Sequence, residues 1–199
     1  MNNLVKKALA DYEKSFLGSD IYKDSWDKSY QESCLADMRK LVASSDNYLL
    51  RENHFAHFTA SAMVVSKDLK RVVLLHHKKL EKWLQPGGHA DGDADLAQVA
   101  LKEASEETGI VNLKLFENSM GIVPIDLDIH EIPARKSDPS HYHYDVRFLI
   151  QATDSEKLVI NHESNALKWL SFEEVREQTD ERSVIRMLDK LESGEFLRS

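Results

Sequence analysis

A single cysteine, Cys34, in 199 residues excludes an intramolecular disulfide, so the fold has to stand on its buried core. No uninterrupted apolar run approaches the roughly 20 residues needed to cross a bilayer, and the opening MNNLVKKALADYEKSF lacks the apolar centre of a secretory leader. Basic charge is also in deficit. Against 34 acidic residues stand 26 Lys and Arg, a net charge of -8, which disfavours nonspecific attachment to long nucleic acids or to an anionic membrane. A polyphosphate held locally by metal and a few basic side chains remains compatible with that balance. Repeats and low-complexity linkers are absent. What is present, 42% hydrophobic and 30% charged residues, is globular composition, and the expected setting is soluble, reducing and cytoplasmic.

Apolar residues recur at helical spacing at Val5, Ala8, Leu9, Tyr12 and Phe16, and again at Cys34, Leu35, Met38, Leu41 and Val42. These patterns predict a helical N-terminal extension over 1–52, with the polar stretch LGSDIYKDSWDKSYQ as the connection and Cys34 as a core residue rather than a nucleophile. From 53 to 199 the pattern changes. HFTASAMVVS, RVVLLHH, KWLQ, NLKLF and ALKWLS read as strands. Ile125, Leu127 and Ile129 alternate with Asp126, Asp128 and His130, while Tyr142, Tyr144, Val146, Phe148 and Ile150 alternate with His141, His143, Asp145 and Arg147. Helices are expected near Phe172–Gln178 and Arg182–Leu191.

Between the strands lies PGGHADGDADLAQVALKEASEETGI, Pro86 to Ile110. A glycine-rich turn leads into a helix with Asp95 and Gln98 in capping-box spacing and Gly109 as its C-terminal cap. Leu96, Ala97, Ala100, Leu101 and Ala104 form the packing face. Glu103, Glu106 and Glu107 fall at i, i+3 and i+4 near the helix C-terminus, where mutual repulsion and the helix dipole both disfavour anions. Lys102 can pair with Glu106 but cannot neutralise three carboxylates. Hard oxygen donors beside a glycine turn suit Mg²⁺ or Mn²⁺; a solvated acidic helix end is the plainer alternative.

Taken together, Gly88, Lys102, Glu103, Ala104, Glu106, Glu107, Gly109 and Ile110 resemble the Nudix box at every interval, with Ala94 in place of its first glutamate and Lys102 in place of its arginine. The resemblance implies an α/β/α sandwich around a mixed sheet and a metal-dependent hydrolase that cleaves a nucleoside diphosphate linked to another moiety. ADP-ribose, nucleotide sugars and nucleoside triphosphates are the substrate classes in view. It implies Glu103, Glu106, Glu107 and the carbonyl of Gly87 as metal ligands, with Glu107 alternatively the base. In the family the first glutamate and the arginine brace the loop, so local pairs made by Asp93 or Asp95 are expected here, and Lys102 keeps the arginine's charge without its fork. A nucleotide-sensing module with an impaired box is the alternative. An isopentenyl diphosphate isomerase on the same fold would need a cysteine in the sheet region, whereas Cys34 lies in the extension.

His76, His77, His89, His130, His141 and His143 are concentrated around the expected cleft and, with Asp128 and Asp145, are suited to a transition metal or to acid and base roles. His89, His141, His143, Asp145, Arg147 and the late acid Glu163 are the substrate-binding candidates. Arg147 has two readings, a contact to substrate phosphate or a cross-strand salt bridge to an acid such as Asp128. The expected partner is a small nucleotide, with neither long nucleic acid nor membrane, and homodimerisation is left open.

Overall fold

The computed structural model describes residues 3–17, 22, 25–135, 139–153, 157–162 and 164–198. The chain opens with α1 (Asn3–Tyr12), extended by a π-helical turn over Glu13–Leu17, and α2 (Ser25–Ser44). Then follow β1 (Ala56–Val65), β2 (Arg71–His77), β3 (Lys82–Leu84), β4 (Gly87–His89), α3 (Leu96–Thr108), β5 (Leu113–Leu115), β6 (Pro124–Ile132), β7 (His141–Ala152) and β8 (Ser164–Ser171). Three helices close the described chain, α4 (Phe172–Gln178), α5 (Arg182–Ser193) and α6 (Glu195–Arg198). The eight strands form one mixed sheet flanked by helices.

The sheet is organised around β1 and β7, which run parallel in register from Ala56↔Tyr142 to Val65↔Gln151. All ten residues of β1 are buried, as expected of a central strand covered on both faces. β4 and β2 pair with β1, β5 and β6 pair with β7, and β3 and β8 pair with β2, all antiparallel.

Two expectations are corrected. Gly87–His89 is a short strand on β1 and not part of a turn; the chain turns after it, at Asp91 and Gly92, both with positive φ. α2 also begins well before its apolar stripe, at Ser25, so half of the stretch expected to be polar connection is helical. Its inward face there is polar because its partners are polar. Gln31 Nε2 donates to the Leu127 carbonyl at 2.6 Å and Gln31 Oε1 accepts from the Leu127 N–H at 3.0 Å. The Tyr30 hydroxyl likewise donates to the Ile129 carbonyl and accepts from the Ile129 N–H, both at 3.1 Å. These two side chains hydrogen-bond the backbone along the open edge of β6. Asp27 pairs with Arg182 of α5, and Phe16 stacks on Phe196 of α6 with ring centroids 5.3 Å apart. The N-terminal helices and the sheet therefore share one hydrophobic cluster. Cys34 is buried in it, and burial pushes its thiol up to about 12.

A candidate active site on both sides of a three-residue strand

α3 is capped at Asp95 and Gly109 as its sequence specifies, but only half of the capping box forms, the Asp95 N–H donating to Asp93 and not to Gln98. The Asp95 side chain accepts from the Gln98 N–H at 3.2 Å, and Gly109 closes the helix in the left-handed conformation with φ 69°. Leu96, Val99, Ala100 and Ala104 are buried, which fixes the azimuth of the three glutamates. Glu107 is buried, Glu103 half-buried and Glu106 exposed.

The buried carboxylate meets β4. Glu107 Oε2 accepts from the Gly87 N–H at 2.9 Å. In the antiparallel β1/β4 ladder the bonded positions include Ala62 with Pro86 and Phe58 with Ala90, so Gly87 falls in a non-bonded register and its backbone points away from β1. Its C=O is thus directed to the side from which Glu107 approaches. Gly88 abuts Glu103. A Cβ built there would lie 2.5–2.7 Å from the Glu103 carboxyl atoms, so only glycine lets that carboxylate rest on the strand. The result is two carboxylates against the backbone of β4, with Glu106 beside them at the surface. This donor set of hard oxygens fits a divalent cation of the Mg²⁺ type. Lys102 lies outside the cluster, 3.9 Å from Glu106 with both side chains exposed, a pair of small energetic consequence.

Ala94 is buried and offers no carboxylate. The loop is held instead by the segment that precedes β1. Arg51 makes a two-pronged pair with Asp91, 2.6 Å on each arm, and the Gly92 N–H donates to the Leu49 carbonyl. Asp93 and Asp95 contribute locally, the Asp93 carboxylate accepting from the Asp95 N–H at 2.9 Å.

The opposite face of the sheet is polar and tiered. The registers align His57, His143 and His130 across β1, β7 and β6, then Thr59, Asp145 and Asp128, then Ser61, Arg147 and Asp126. His89 lies beside Thr59 in β4. In the first tier the rings of His57, His89, His130, His141 and His143 crowd together, with centroids between 4.8 and 5.4 Å for the contacting pairs. His76 and His77 do not join them: His76 packs against Trp83, and His77 accepts from the Lys79 and Leu80 N–H groups in the following turn.

The lower tiers are an internal ionic network. Arg147 Nε donates to Asp145 at 2.7 Å, and its Nη2 lies 3.1 Å from Asp128, the cross-strand pair of the second reading. Thr59 and Ser61 also donate to Asp145. Asp126 receives Arg186 at 2.9 and 2.7 Å and Lys190 at 2.6 Å. Arg147 and Asp145 are thus buried and committed to each other. Glu163 lies outside the described residues.

His57 is not among the sequence candidates, although its alternation with Phe58 and Ala60, like that of Thr59 and Ser61 after it, is the available signal. Burial, reinforced by the neighbouring histidines, pushes His143 down to about 2 and lowers His57. Burial alone would raise Asp126 and Asp128; Arg186, Lys190 and Arg147 outweigh it at the first and Arg147, His130 and Arg186 at the second, so both stay below the usual carboxylate range. For a histidine depressed in the folded state, the unfolded chain binds the extra proton, so stability falls as pH drops below about 6.5. The depressed aspartates add stability above the unfolded carboxylate value, lost as pH drops below about 4. Denaturation monitored against pH should therefore show an early decline and a steeper acid one; a midpoint constant from neutrality to pH about 4 would contradict the histidine contribution.

The NUDIX domain family model matches residues 56–191. The chain belongs to the Nudix family. A "Probable DHNTP pyrophosphohydrolase" of Lactococcus lactis subsp. cremoris (strain MG1363) is 30% identical over 119 residues, covering 58% of this chain and 67% of that protein. A NUDIX-family hydrolase from Clostridium perfringens is 25% identical with a TM-score of 0.55, covering 69% of this chain and 97% of that one. The Escherichia coli dihydroneopterin triphosphate pyrophosphohydrolase shares the fold at 18% identity and a TM-score of 0.53, covering 67% of this chain and 92% of that one. This Nudix chain is a pyrophosphohydrolase, and Nudix hydrolases act on small nucleotide substrates and generally use divalent cations. Among its described residues no helix is long and apolar enough to cross a membrane.

Proposed function

We propose that this Nudix enzyme hydrolyses the diphosphate linkage of a nucleoside diphosphate joined to another moiety, or of a nucleoside triphosphate. Glu103, Glu106, Glu107 and the Gly87 carbonyl hold Mg²⁺ or Mn²⁺. The observation that carries this reading is the meeting of the glutamate helix with the Gly87–Gly88 backbone, where Glu107 is hydrogen-bonded and Glu103 fits only against glycine. A divalent cation bound there supplies charge neutralisation to the diphosphate and acidity to a water. The protein's own part is orientation. The Gly87 N–H fixes Glu107, the packed face of α3 fixes the helix, and exposed Glu106 stands where a ligand can reach it.

The relatives named for dihydroneopterin triphosphate, together with a Caenorhabditis elegans Ap4A hydrolase of the same fold (20% identical, TM-score 0.52, covering 68% of this chain and 95% of that one), define the first panel. ADP-ribose, nucleotide sugars and nucleoside triphosphates complete it. With Mg²⁺ or Mn²⁺ at least one member should be turned over. Glu106→Gln and Glu107→Gln should each lower kcat by about 10²- to 10³-fold, the equivalent of several kcal/mol of cation-mediated stabilisation. Unchanged turnover in both variants would refute the metal assignment. The alternative, a catalytically weak nucleotide-binding or sensing module, draws on the buried Ala94 in place of a glutamate; it requires a nucleotide that raises the melting temperature with metal present while turnover stays barely above background.

A further inference from the structure

Among the described residues, His57, His89 and His143 are a set of potential metal ligands whose donor atoms all lie within 4.8 Å of one another. They come from β1, β4 and β7, so the sheet itself positions them. Two further observations concern the ring nitrogens. The Nε2 atoms of His57 and His143 are buried and have no hydrogen-bond partner, a costly condition for a polar atom unless something binds there. His57, only 2% exposed, also has Nδ1 3.4 Å from the Asn53 carbonyl. That contact selects the Nδ1–H tautomer and turns the lone pair of Nε2 inward. A ligating histidine is ordinarily oriented in this way, its second nitrogen donating to a backbone carbonyl.

We propose that His57, His89 and His143 bind a divalent transition-metal ion of the zinc, cobalt and nickel class, at a site separate from the glutamates. Imidazole nitrogen favours these ions, whereas Mg²⁺ requires oxygen. Tetrahedral coordination at about 2.0–2.1 Å brings nitrogen ligands to roughly 3.4 Å from one another, so the rings close inward on binding by about an ångström. Three protein ligands leave the fourth position to water or to an anionic oxygen, the arrangement of an open rather than a sealed zinc site. The two sites share β4. Its Gly87 N–H faces Glu107, while its His89 ring joins the histidines. The inference does not depend on the hydrolase reading, because its readout is binding and not turnover.

Co²⁺ titrated into the full-length protein near neutral pH, against a large excess of Mg²⁺, should bind one equivalent with the visible absorption of a tetrahedral nitrogen site, and Zn²⁺ should displace it. His57→Ala and His143→Ala should abolish that signal, while Glu103→Gln and Glu107→Gln should retain it. No Co²⁺ binding over Mg²⁺, or binding unaltered in folded histidine variants, would overturn the proposal. X-ray absorption of the Zn²⁺-loaded wild-type protein is independent of whether those variants fold. It should give imidazole nitrogens at about 2.0–2.1 Å, and a shell of oxygen alone would overturn the proposal equally.

Discussion

Gly88→Ala should lower kcat by about 10²-fold or more and leave the folded protein nearly as stable as the wild type. The added methyl group would sit 2.5 Å from Glu103 Cδ and within 2.7 Å of both its oxygens. Those atoms are the far end of a flexible, half-buried side chain, so the clash is relieved by swinging the carboxylate aside and the backbone need not move. What suffers is the ligand set, and a displacement of about 1 Å in such a constellation is enough for a loss of that size. Gly87→Ala differs in kind, since its methyl group would press on the Ser61 side chain and on the Ser61 Cα itself, 2.9 Å away. Steady-state kinetics and thermal melts on the two variants separate the cases. Wild-type kcat in Gly88→Ala would mean that Glu103 has no part in the chemistry.

Asp126→Asn is expected to be the most damaging single substitution for stability. Asp126 is fully buried and accepts both prongs of Arg186 as well as the Lys190 ammonium, with Arg147 at 3.5 Å. The amide preserves the shape but leaves three buried cations around a neutral group. Breaking a buried ionic group in this way costs about 3–5 kcal/mol, which in a protein of this size lowers Tm by roughly 10 °C. Thermal unfolding at neutral pH checks it. A shift within about 2 °C, the equivalent of about 1 kcal/mol or less, would show that the buried cations do not depend on Asp126 and that Asp128 and Asp145 alone neutralise the cluster.

Much of this was legible in the sequence because it is written in intervals. The Nudix box spacing, the caps at Asp95 and Gly109 and the strands β6 and β7 depend on local sequence, and the caps and strands reappear in the structure, although the polar positions of the alternation, Asp126, Asp128, Asp145 and Arg147, are buried like the apolar ones. What escaped depends on partners distant in the chain. Ser25–Gln31 carries no apolar stripe because its inward residues satisfy strand backbone and Arg182, chemistry that a hydrophobic period does not detect. His57 belongs to an alternation that it shares with Thr59 and Ser61 and that does not single it out, and only the register with β7 brings it to His143. Arg51 lies 40 residues from Asp91 in a segment without periodicity. The two readings of Arg147 could be separated only by seeing its surroundings, where Asp128 and Asp145 occupy the guanidinium.

The contacts of Tyr30 and Gln31 with β6 carry a consequence for where this protein can be cut. The match to the Nudix model begins at residue 56, yet two side chains of α2 stand in for a further strand along β6, and Tyr12 and Gln31 both touch the buried Lys190 ammonium. Severing the chain between α2 and β1 would uncover a row of strand amides and carbonyls together with a cation whose solvation shell is made of helix side chains. The boundary that homology draws and the boundary that energy draws thus fall in different places, and an excised catalytic region would meet water, or another copy of itself, along the very edge the extension now occupies.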